Sequence, residues 1–275
     1  MTENSAPRPR TVLLTGALGN IGRILREPLA ARYGGLRSTD LRAPGALVTG
    51  EQFVEGTLAD PQFARGVTQG VDTVVHMAGT SEEDDWAPVL ANNISSVVNL
   101  FEAVRHNGVR RVVFASTHHV IGYHRRGHRL GAGAEPRPDS RYAVSKVFGE
   151  ALGRLFADKY GLEVVCLRIG SFRPVPTTRR MLHIWIGPDD MVRLTVAAID
   201  APQVHFSVVY GVSHTEAGWW EMEDAEALGY RPVLDVGKYA NDVENKAPPE
   251  GLVESLFQGG QNCEAEFAGI TGRIK

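Results

Sequence analysis

The sequence is poor in cysteine and has neither a long apolar run nor an excess of basic residues. Cys166 and Cys263 are its only cysteines among 275 residues, which excludes a disulfide framework and favours a reducing compartment. No stretch approaches the roughly 20 apolar residues of a membrane span. The formal net charge of −3 gives no reason to expect a nucleic-acid or membrane partner. Residues 1–9 lack the apolar core of a signal peptide, so we expect a cytoplasmic protein.

Alternating strand and helix patterns organise the first part of the chain. Hydrophobic residues make up 43% of the sequence, enough for a sizeable core. Short apolar runs typical of strands lie at residues 10–15, 36–40, 52–54, 72–77, 111–116 and 163–168. Helical spacing occurs at residues 20–33, 86–106 and 139–160. Apolar strands separated by helices predict an α/β fold, a Rossmann-type doubly wound parallel sheet.

A glycine-rich turn follows the first strand. Gly16, Gly19 and Gly22 form the pattern GxxGxxG between a strand and a helix. One glycine permits a sharp turn, one lets a pyrophosphate approach the backbone, and one lets the helix pack on the strand. The amides near Asn20 and Ile21 would then point at the phosphates from the helix N-terminus. The alternative is an ordinary tight turn, but the strand–turn–helix context favours a dinucleotide site.

Asp40 ends the second predicted strand, 18 residues after Gly22. A carboxylate there accepts hydrogen bonds from the adenosine ribose and repels a 2′-phosphate, which favours NAD over NADP as the cofactor. The alternative for Asp40 is a plain turn residue. Arg42 lies two residues further on and could partly offset the repulsion, so NADP is disfavoured without being excluded.

Tyr142 and Lys146 are spaced four apart within a predicted helix, so their side chains share one face. A free phenol has a pKa near 10, and a neighbouring ammonium should lower it. The phenolate could then take a proton from a substrate hydroxyl while hydride leaves the carbon. A Tyr–Lys pair at this spacing is usually only a surface pair. Its place after the fifth strand of a nucleotide-binding fold favours catalysis.

Two further polar residues are candidates near this pair. Thr117 follows the fifth strand, at the sheet edge where ligands bind, and its hydroxyl could hold the reacting oxygen. Capping of the strand end is the alternative. Asn93 could complete a proton relay through water, or simply face solvent.

We expect residues 1–170 to form the NAD-binding part with the catalytic pair, and residues 171–275 a smaller substrate-binding lobe and tail, integrated in a single domain.

Together these residues resemble the extended short-chain dehydrogenase/reductase family, which contains NAD-dependent epimerases and dehydratases. The resemblance covers about the first 170 residues. It is carried by residues 15–22, Asp40, residues 76–79, Asn93, Thr117 and the Tyr142/Lys146 pair. It implies the proton-relay mechanism above. We also expect the cofactor to be contacted by Leu58, Ala78, Gly79, Asn93, Tyr142 and Lys146, with the lysine holding the nicotinamide ribose.

A closer resemblance, to the uronate dehydrogenases, extends over nearly the whole chain. Its motifs are residues 114–123, 137–139, 142–150, 168–171, 180–182, 209–211, 218–220 and 257–260. Uronate dehydrogenases oxidise the C1 hydroxyl of cyclic D-glucuronate or D-galacturonate with NAD, giving an aldarolactone. The resemblance implies that Arg180 binds the substrate carboxylate and that Ser81, Thr117 and Ser171 contact the sugar. It also implies a homo-oligomer.

The sequence departs from this family at positions that bear on binding. His118 stands where these enzymes have asparagine, and a substrate contact there would change shape and hydrogen bonding. Thr57 replaces an aspartate that commonly contacts adenine, and Thr117 replaces a serine while keeping the hydroxyl. Four histidines crowd one loop, but neither cysteine nor a helical HxxxH pattern accompanies them, so we expect no metal site.

Two other functions stay open from the sequence. A nucleotide-sugar epimerase or dehydratase of the same superfamily uses the same Tyr/Lys pair. It needs a larger lobe than the roughly one hundred residues that follow the sixth predicted strand here. A non-catalytic NAD-sensing protein could keep the glycine turn while losing the catalytic residues. Tyr142, Lys146 and the Thr117 hydroxyl are all present, which favours an enzyme.

Overall fold

Seven parallel strands form the central sheet of this computed structural model, which describes residues 10–81 and 83–274. Their order across the sheet is β3-β2-β1-β4-β5-β6-β9. The strands are β1 (Thr11–Thr15), β2 (Gly35–Asp40), β3 (Glu51–Glu55), β4 (Thr73–His76), β5 (Arg111–Thr117), β6 (Glu163–Ile169) and β9 (Phe206–Gly211). Strand order reverses between β1 and β4, which creates a crevice at their carboxyl ends.

Helices cover both faces of the sheet, which confirms the predicted doubly wound α/β fold. The longer ones are α1 (Asn20–Arg32), α2 (Pro61–Val67), α4 (Ser96–His106), α5 (Arg141–Tyr160), α7 (Pro188–Asp200) and α9 (Ala240–Lys246). One apolar cluster joins the sheet to α1 and α7, with Leu25 and Leu194 fully buried. A second joins it to α4 and α5, with Phe101 and Phe156 at its centre.

The segment after residue 170 contributes to the main sheet and to a smaller unit beside it. Its strand β9 pairs in parallel with β6. A separate two-stranded sheet joins β7 (Ser171–Phe172) and β8 (Trp185–Ile186), and short helices α6 (Met181–Ile184), α8 (Glu223–Ala227) and α10 (Gln261–Glu264) complete the fold. The division into a cofactor part and a substrate lobe at residue 170 stays a prediction.

The helix predicted as continuous over residues 86–106 is divided in three. A short helix α3 (Trp86–Val89) leads into a π-helix (Leu90–Ser95) before α4 begins. Within the wider π turn, the side-chain amide of Asn93 forms hydrogen bonds to Thr80 and Ser145. These tertiary hydrogen bonds explain the departure from regular α-helix, which apolar spacing alone does not reveal.

Helix α2 was absent from the sequence-based prediction, although its start carries two local signals. Asp60 caps it by accepting a hydrogen bond from the amide of Gln62 at 2.8 Å, and Pro61 occupies the first turn. A helix of seven residues is too short to show a clear helical period.

Among residues 10–81 and 83–274, no helix has both the length and the apolar character needed to cross a membrane.

Candidate active site

Two adjoining cavities lie at the carboxyl ends of the parallel strands. The outer one has a volume of about 810 Å³ and the inner one about 390 Å³. Both are lined by Gly16, Gly19, Met77, Gly79 and Thr80, so they form one continuous cleft. This position, at the reversal of strand order, is where open α/β sheets bind their ligands.

The glycine turn is packed so closely that two of its glycines exclude any side chain. A Cβ on Gly16, whose φ is +67°, would lie 2.6 Å from the amide nitrogen of Ala78. A Cβ on Gly22 would lie 2.0 Å from the carbonyl oxygen of Gly16. Gly19 is at the N-cap of α1, and Asn20 and Ile21 in its first turn line the inner cavity. The first-turn amides are therefore brought to the cleft, as a pyrophosphate requires.

Asp40 lies on the wall of the outer cavity with its carboxylate held in one orientation. One oxygen accepts a hydrogen bond from the amide of Leu18 at 2.8 Å, and the other from the amide of Leu41 at 2.7 Å. Each oxygen keeps a further acceptor site for a ribose hydroxyl. Thr57, Leu58 and Ala78 line the same cavity. The glycine cradle and this oriented carboxylate fit an adenine dinucleotide.

Asn93 is not among the residues that line either cavity, because its amide is engaged within the protein. Its Nδ2 donates to the carbonyl of Thr80 and to Oγ of Ser145, each at 2.9 Å, and its Oδ1 accepts from the amide of Thr80 at 2.8 Å. A Cβ on Gly79 would lie 2.7 Å from this Oδ1. Asn93 thus holds the loop of Gly79 and Thr80 against α5, and its predicted cofactor contact stays a prediction.

The predicted catalytic residues come together in the inner cavity. Tyr142 and Lys146 lie on α5, with Nζ of Lys146 5.7 Å from the centre of the phenol ring. Thr117 ends β5, and its side chain is near enough to that of Tyr142 to act on the phenol pKa. The inner cavity is lined by all three residues. A hydroxyl substrate placed there would meet the phenol and the threonine together.

Burial shifts the two titratable groups in ways that the sequence did not indicate. It raises the pKa of Tyr142 to about 12, although the side chain of Thr117 acts to lower it. It also lowers the pKa of Lys146 to about 8. The expected lowering of the phenol pKa by the ammonium is therefore wrong for this structure. Loss of solvation is the largest influence on the phenol, and it favours the neutral form.

The sequence-predicted substrate residues also line the inner cavity. Ser81, His118, Ser171 and Arg180 lie there with Tyr142. Arg180 is half-buried, and its Nε donates to the carbonyl oxygen of Gln258 at 2.7 Å. Burial lowers its pKa to about 10, so the guanidinium is still charged at neutral pH. The cavity therefore combines a fixed cation with a proton-transfer group.

Several residues of the cavity were missed by sequence reasoning. Nδ1 of His119 donates to the carboxylate of Asp139 at 2.6 Å, and the His119 ring lies 6.4 Å from that of Tyr142. The C-terminal segment supplies Glu254, Gln261 and Asn262. His119 and Asp139 lie within motifs of the resemblance, and the three C-terminal residues flank the motif at 257–260, but their spacing in sequence does not predict that they meet at one cavity. The glycines at 122 and 259 leave room for Asp139.

A buried ion pair anchors the helix that carries Tyr142 and Lys146. Glu150 on α5 accepts hydrogen bonds from Arg168 on β6 at 3.0 and 2.9 Å. The same carboxylate accepts the hydroxyl of Ser116 on β5 at 2.5 Å. Both charged side chains are at most 9% exposed. These bonds fix α5, and with it the height of Tyr142 and Lys146, relative to the strand ends.

Comparison with known proteins gives consistent similarities. Residues 12–174 match the model of the NAD dependent epimerase/dehydratase family. The uronate dehydrogenase of Agrobacterium fabrum is 39% identical over 91% of this chain and 96% of its own length. A uronate dehydrogenase of Agrobacterium tumefaciens, a mutant solved as a complex with NAD, is 38% identical with a TM-score of 0.88, over 93% of this chain and 97% of that one. The structure of glucuronic acid dehydrogenase from Chromohalobacter salexigens is 34% identical in sequence with a TM-score of 0.89. The match covers 96% of this chain and 99% of that one.

Proposed function

The chain belongs to the NAD-dependent epimerase/dehydratase family and is an NAD-dependent oxidoreductase, and from that premise we propose that it oxidises C1 of a cyclic hexuronate. The substrate would be D-glucuronate or D-galacturonate, and the product the corresponding aldarolactone. One observation carries the proposal. The guanidinium of Arg180 lines the same cavity as Tyr142, Lys146 and Thr117, so a cation and a proton-transfer group can act on one small sugar.

The proposed reaction removes one hydride and one proton from the sugar. NAD, when bound, is the oxidant, since its nicotinamide ring accepts the C1 hydride. Tyr142, as the phenolate, takes the proton of the C1 hydroxyl, so that the C–H bond breaks as C1 and its oxygen form the lactone carbonyl. The Thr117 hydroxyl donates to the reacting oxygen. Lys146, which lines the same cavity, would hold the nicotinamide ribose.

The proposed cofactor contacts follow the two cavities. The first-turn amides of α1, following Gly16 and Gly19, would receive the pyrophosphate, and Asp40 the adenosine ribose. Leu58, Ala78 and Gly79 line the outer cavity, where they would contact the adenosine half. These residues form walls that are already in place around the cleft.

Arg180 would read the carboxylate that distinguishes a uronate from a neutral sugar. A guanidinium binds a carboxylate through two parallel hydrogen bonds, which gives both affinity and orientation. Ser81 and Ser171, which line the same cavity, would contact ring hydroxyls. The carboxylate is carried on C5, which is joined to C1 through the ring oxygen, so a carboxylate bound at Arg180 would leave C1 within the cavity that Tyr142 lines.

Two substitutions and a neighbouring control test this assignment. Arg180→Ala should raise KM for uronates by about a hundredfold, since a bidentate charged pair contributes a few kcal/mol. Tyr142→Phe should lower kcat by about a hundredfold or more while NAD still binds. Arg179→Ala removes the adjacent, more exposed arginine, which pairs with Glu244, and should leave KM unchanged. Equal kinetics in Arg180→Ala and Arg179→Ala would remove Arg180 from the carboxylate site.

We also propose that the chain associates with a second copy of itself. Trp86, Leu90 and Val98 are exposed on α3, the π-helix and α4, and Val144 and Leu155 on the adjacent α5. A contact between copies through this face would bury a row of apolar side chains. Light scattering on the purified protein should give a multiple of 29.9 kDa, and a monomer would contradict the proposal. A cytoplasmic location stays a prediction.

A further inference from the structure

His118 is held at the inner cavity by a contact at each ring nitrogen. Nδ1 lies 2.9 Å from the carbonyl oxygen of Ile169, and Nε2 lies 2.5 Å from Nη2 of Arg180. The residue is only 4% exposed. Its ring packs near those of His119 and Trp220, at centroid distances of 4.0 and 5.6 Å. The imidazole therefore has a fixed position and a fixed orientation.

The two partners decide which nitrogen carries the proton. A carbonyl oxygen only accepts a hydrogen bond, so Nδ1 of His118 is protonated and donates to Ile169. A guanidinium only donates, so Nε2 presents its lone pair to Arg180. Burial, together with the charges of His119 and Arg180, lowers the pKa of His118 and keeps the ring neutral. Both ring nitrogens are thus used within the protein.

The same contact fixes Arg180. Its Nε donates to the carbonyl of Gln258 and its Nη2 to His118, so the guanidinium plane is held at two points. A planar carboxylate needs that plane in a defined direction to form two parallel bonds. An arginine held in advance loses less rotamer freedom when the ligand binds. Of these two anchors, only the bond to Gln258 would remain without His118.

We infer that His118 is a positioning residue for Arg180, and that it sets selectivity for a carboxylate-bearing sugar without bonding to the sugar itself. The inference rests on the proposed function, in which Arg180 binds the uronate carboxylate. It requires the two side chains to act as one unit. Loss of His118 then weakens uronate binding only while Arg180 is present.

A double-mutant cycle measures this dependence directly. Wild type, His118→Ala, Arg180→Ala and the double variant are compared by KM and kcat for D-glucuronate and D-galacturonate at saturating NAD. His118→Ala should raise KM by about tenfold, the effect of one hydrogen bond to a charged group. It should leave kcat and NAD binding nearly unchanged, and it should add nothing in the Arg180→Ala background. His205→Ala, which removes an exposed imidazole, is the control.

A conservative variant separates positioning from bulk packing. His118→Gln places an amide oxygen near the position of Nε2, where it can accept from Arg180, and should bring KM back close to the wild-type value. If the His118→Ala variant does not bind NAD, or shows no cooperative thermal unfolding, the cycle is run with His118→Phe instead. Phenylalanine keeps the ring against Trp220 but offers no acceptor, and the same dependence on Arg180 is expected.

Two results would overturn the inference. One is an unchanged KM in His118→Ala. The other is a KM effect of His118→Ala that is equally large with and without Arg180, because that is the behaviour of an independent substrate contact. A wild-type protein that oxidises no uronate overturns the proposed function and this inference with it. A wild type that oxidises uronates but shows independent effects overturns the inference alone.

Discussion

A substitution at Gly22 tests whether the glycine turn binds the cofactor, because one added methyl group there would collide with the backbone of the turn. In Gly22→Ala the new Cβ would lie 2.0 Å from the carbonyl oxygen of Gly16 and 2.8 Å from Cα of Ala17. An ordinary contact needs about 3.4 Å or more. Helix α1 and the turn must therefore separate by about 1.4 Å, the difference between the two distances.

That displacement moves the amides that would receive the pyrophosphate. Misplacement of binding groups by about 1 Å commonly costs about a hundredfold. We expect Gly22→Ala to weaken NAD binding by about that factor, and overpacking to lower the free energy of unfolding by about 1–3 kcal/mol. Calorimetric titration with NAD and urea unfolding measure the two effects separately.

Gly66 supplies a matched control. It lies on the exposed side of α2, and a Cβ added there meets nothing within 4 Å. Gly66→Ala should bind NAD as wild type does and gain about 0.5–1 kcal/mol of stability, because alanine is the better helix former. Wild-type NAD affinity in Gly22→Ala would refute the assignment of this turn to the cofactor.

Three further predictions concern the cofactor, the base and the anchor of α5. Asp40→Ala should narrow the preference for NAD over NADP, and an unchanged ratio of kcat/KM for the two would refute its ribose role. Because burial raises the pKa of Tyr142 to about 12, the phenolate fraction grows with pH, so uronate oxidation should accelerate between about pH 6 and 9; a flat profile argues against this base. Glu150→Gln leaves Arg168 buried without its charged partner and should lower the free energy of unfolding by about 3–5 kcal/mol, measured with urea. A decrease below about 1 kcal/mol would show that the ion pair contributes little to holding α5 in place.

The parts of the fold and site that could be predicted are those with local chemical requirements. The turn around Gly16 and Gly22 depends on close approach of neighbouring backbone, and such a requirement is visible in residue type. The six predicted strands are short apolar runs, and each of these six has nearly the predicted bounds. Tyr142 and Lys146 share a helix, so their separation follows from four residues of spacing.

The parts that could not be predicted depend on contacts between distant segments. His118 meets Arg180 across 62 residues of sequence, and neither residue type nor spacing gives the geometry of that bond. Asp139 is enclosed by Gly259 only after the C-terminal segment has folded over the cavity. The direction of the Tyr142 pKa depends on burial, a property of the assembled fold that spacing along a helix does not contain.

The most direct test of the central claim is the initial rate of NADH formation by the purified wild-type protein. D-glucuronate, D-galacturonate, D-glucose and a nucleotide-sugar are offered separately with NAD, and absorbance of NADH is followed. The account predicts rapid oxidation of at least one uronate and kcat/KM lower by about a hundredfold for glucose, which lacks the carboxylate that Arg180 is proposed to bind. Oxidation of glucose as efficient as that of the uronates, or no oxidation of either uronate, would contradict it.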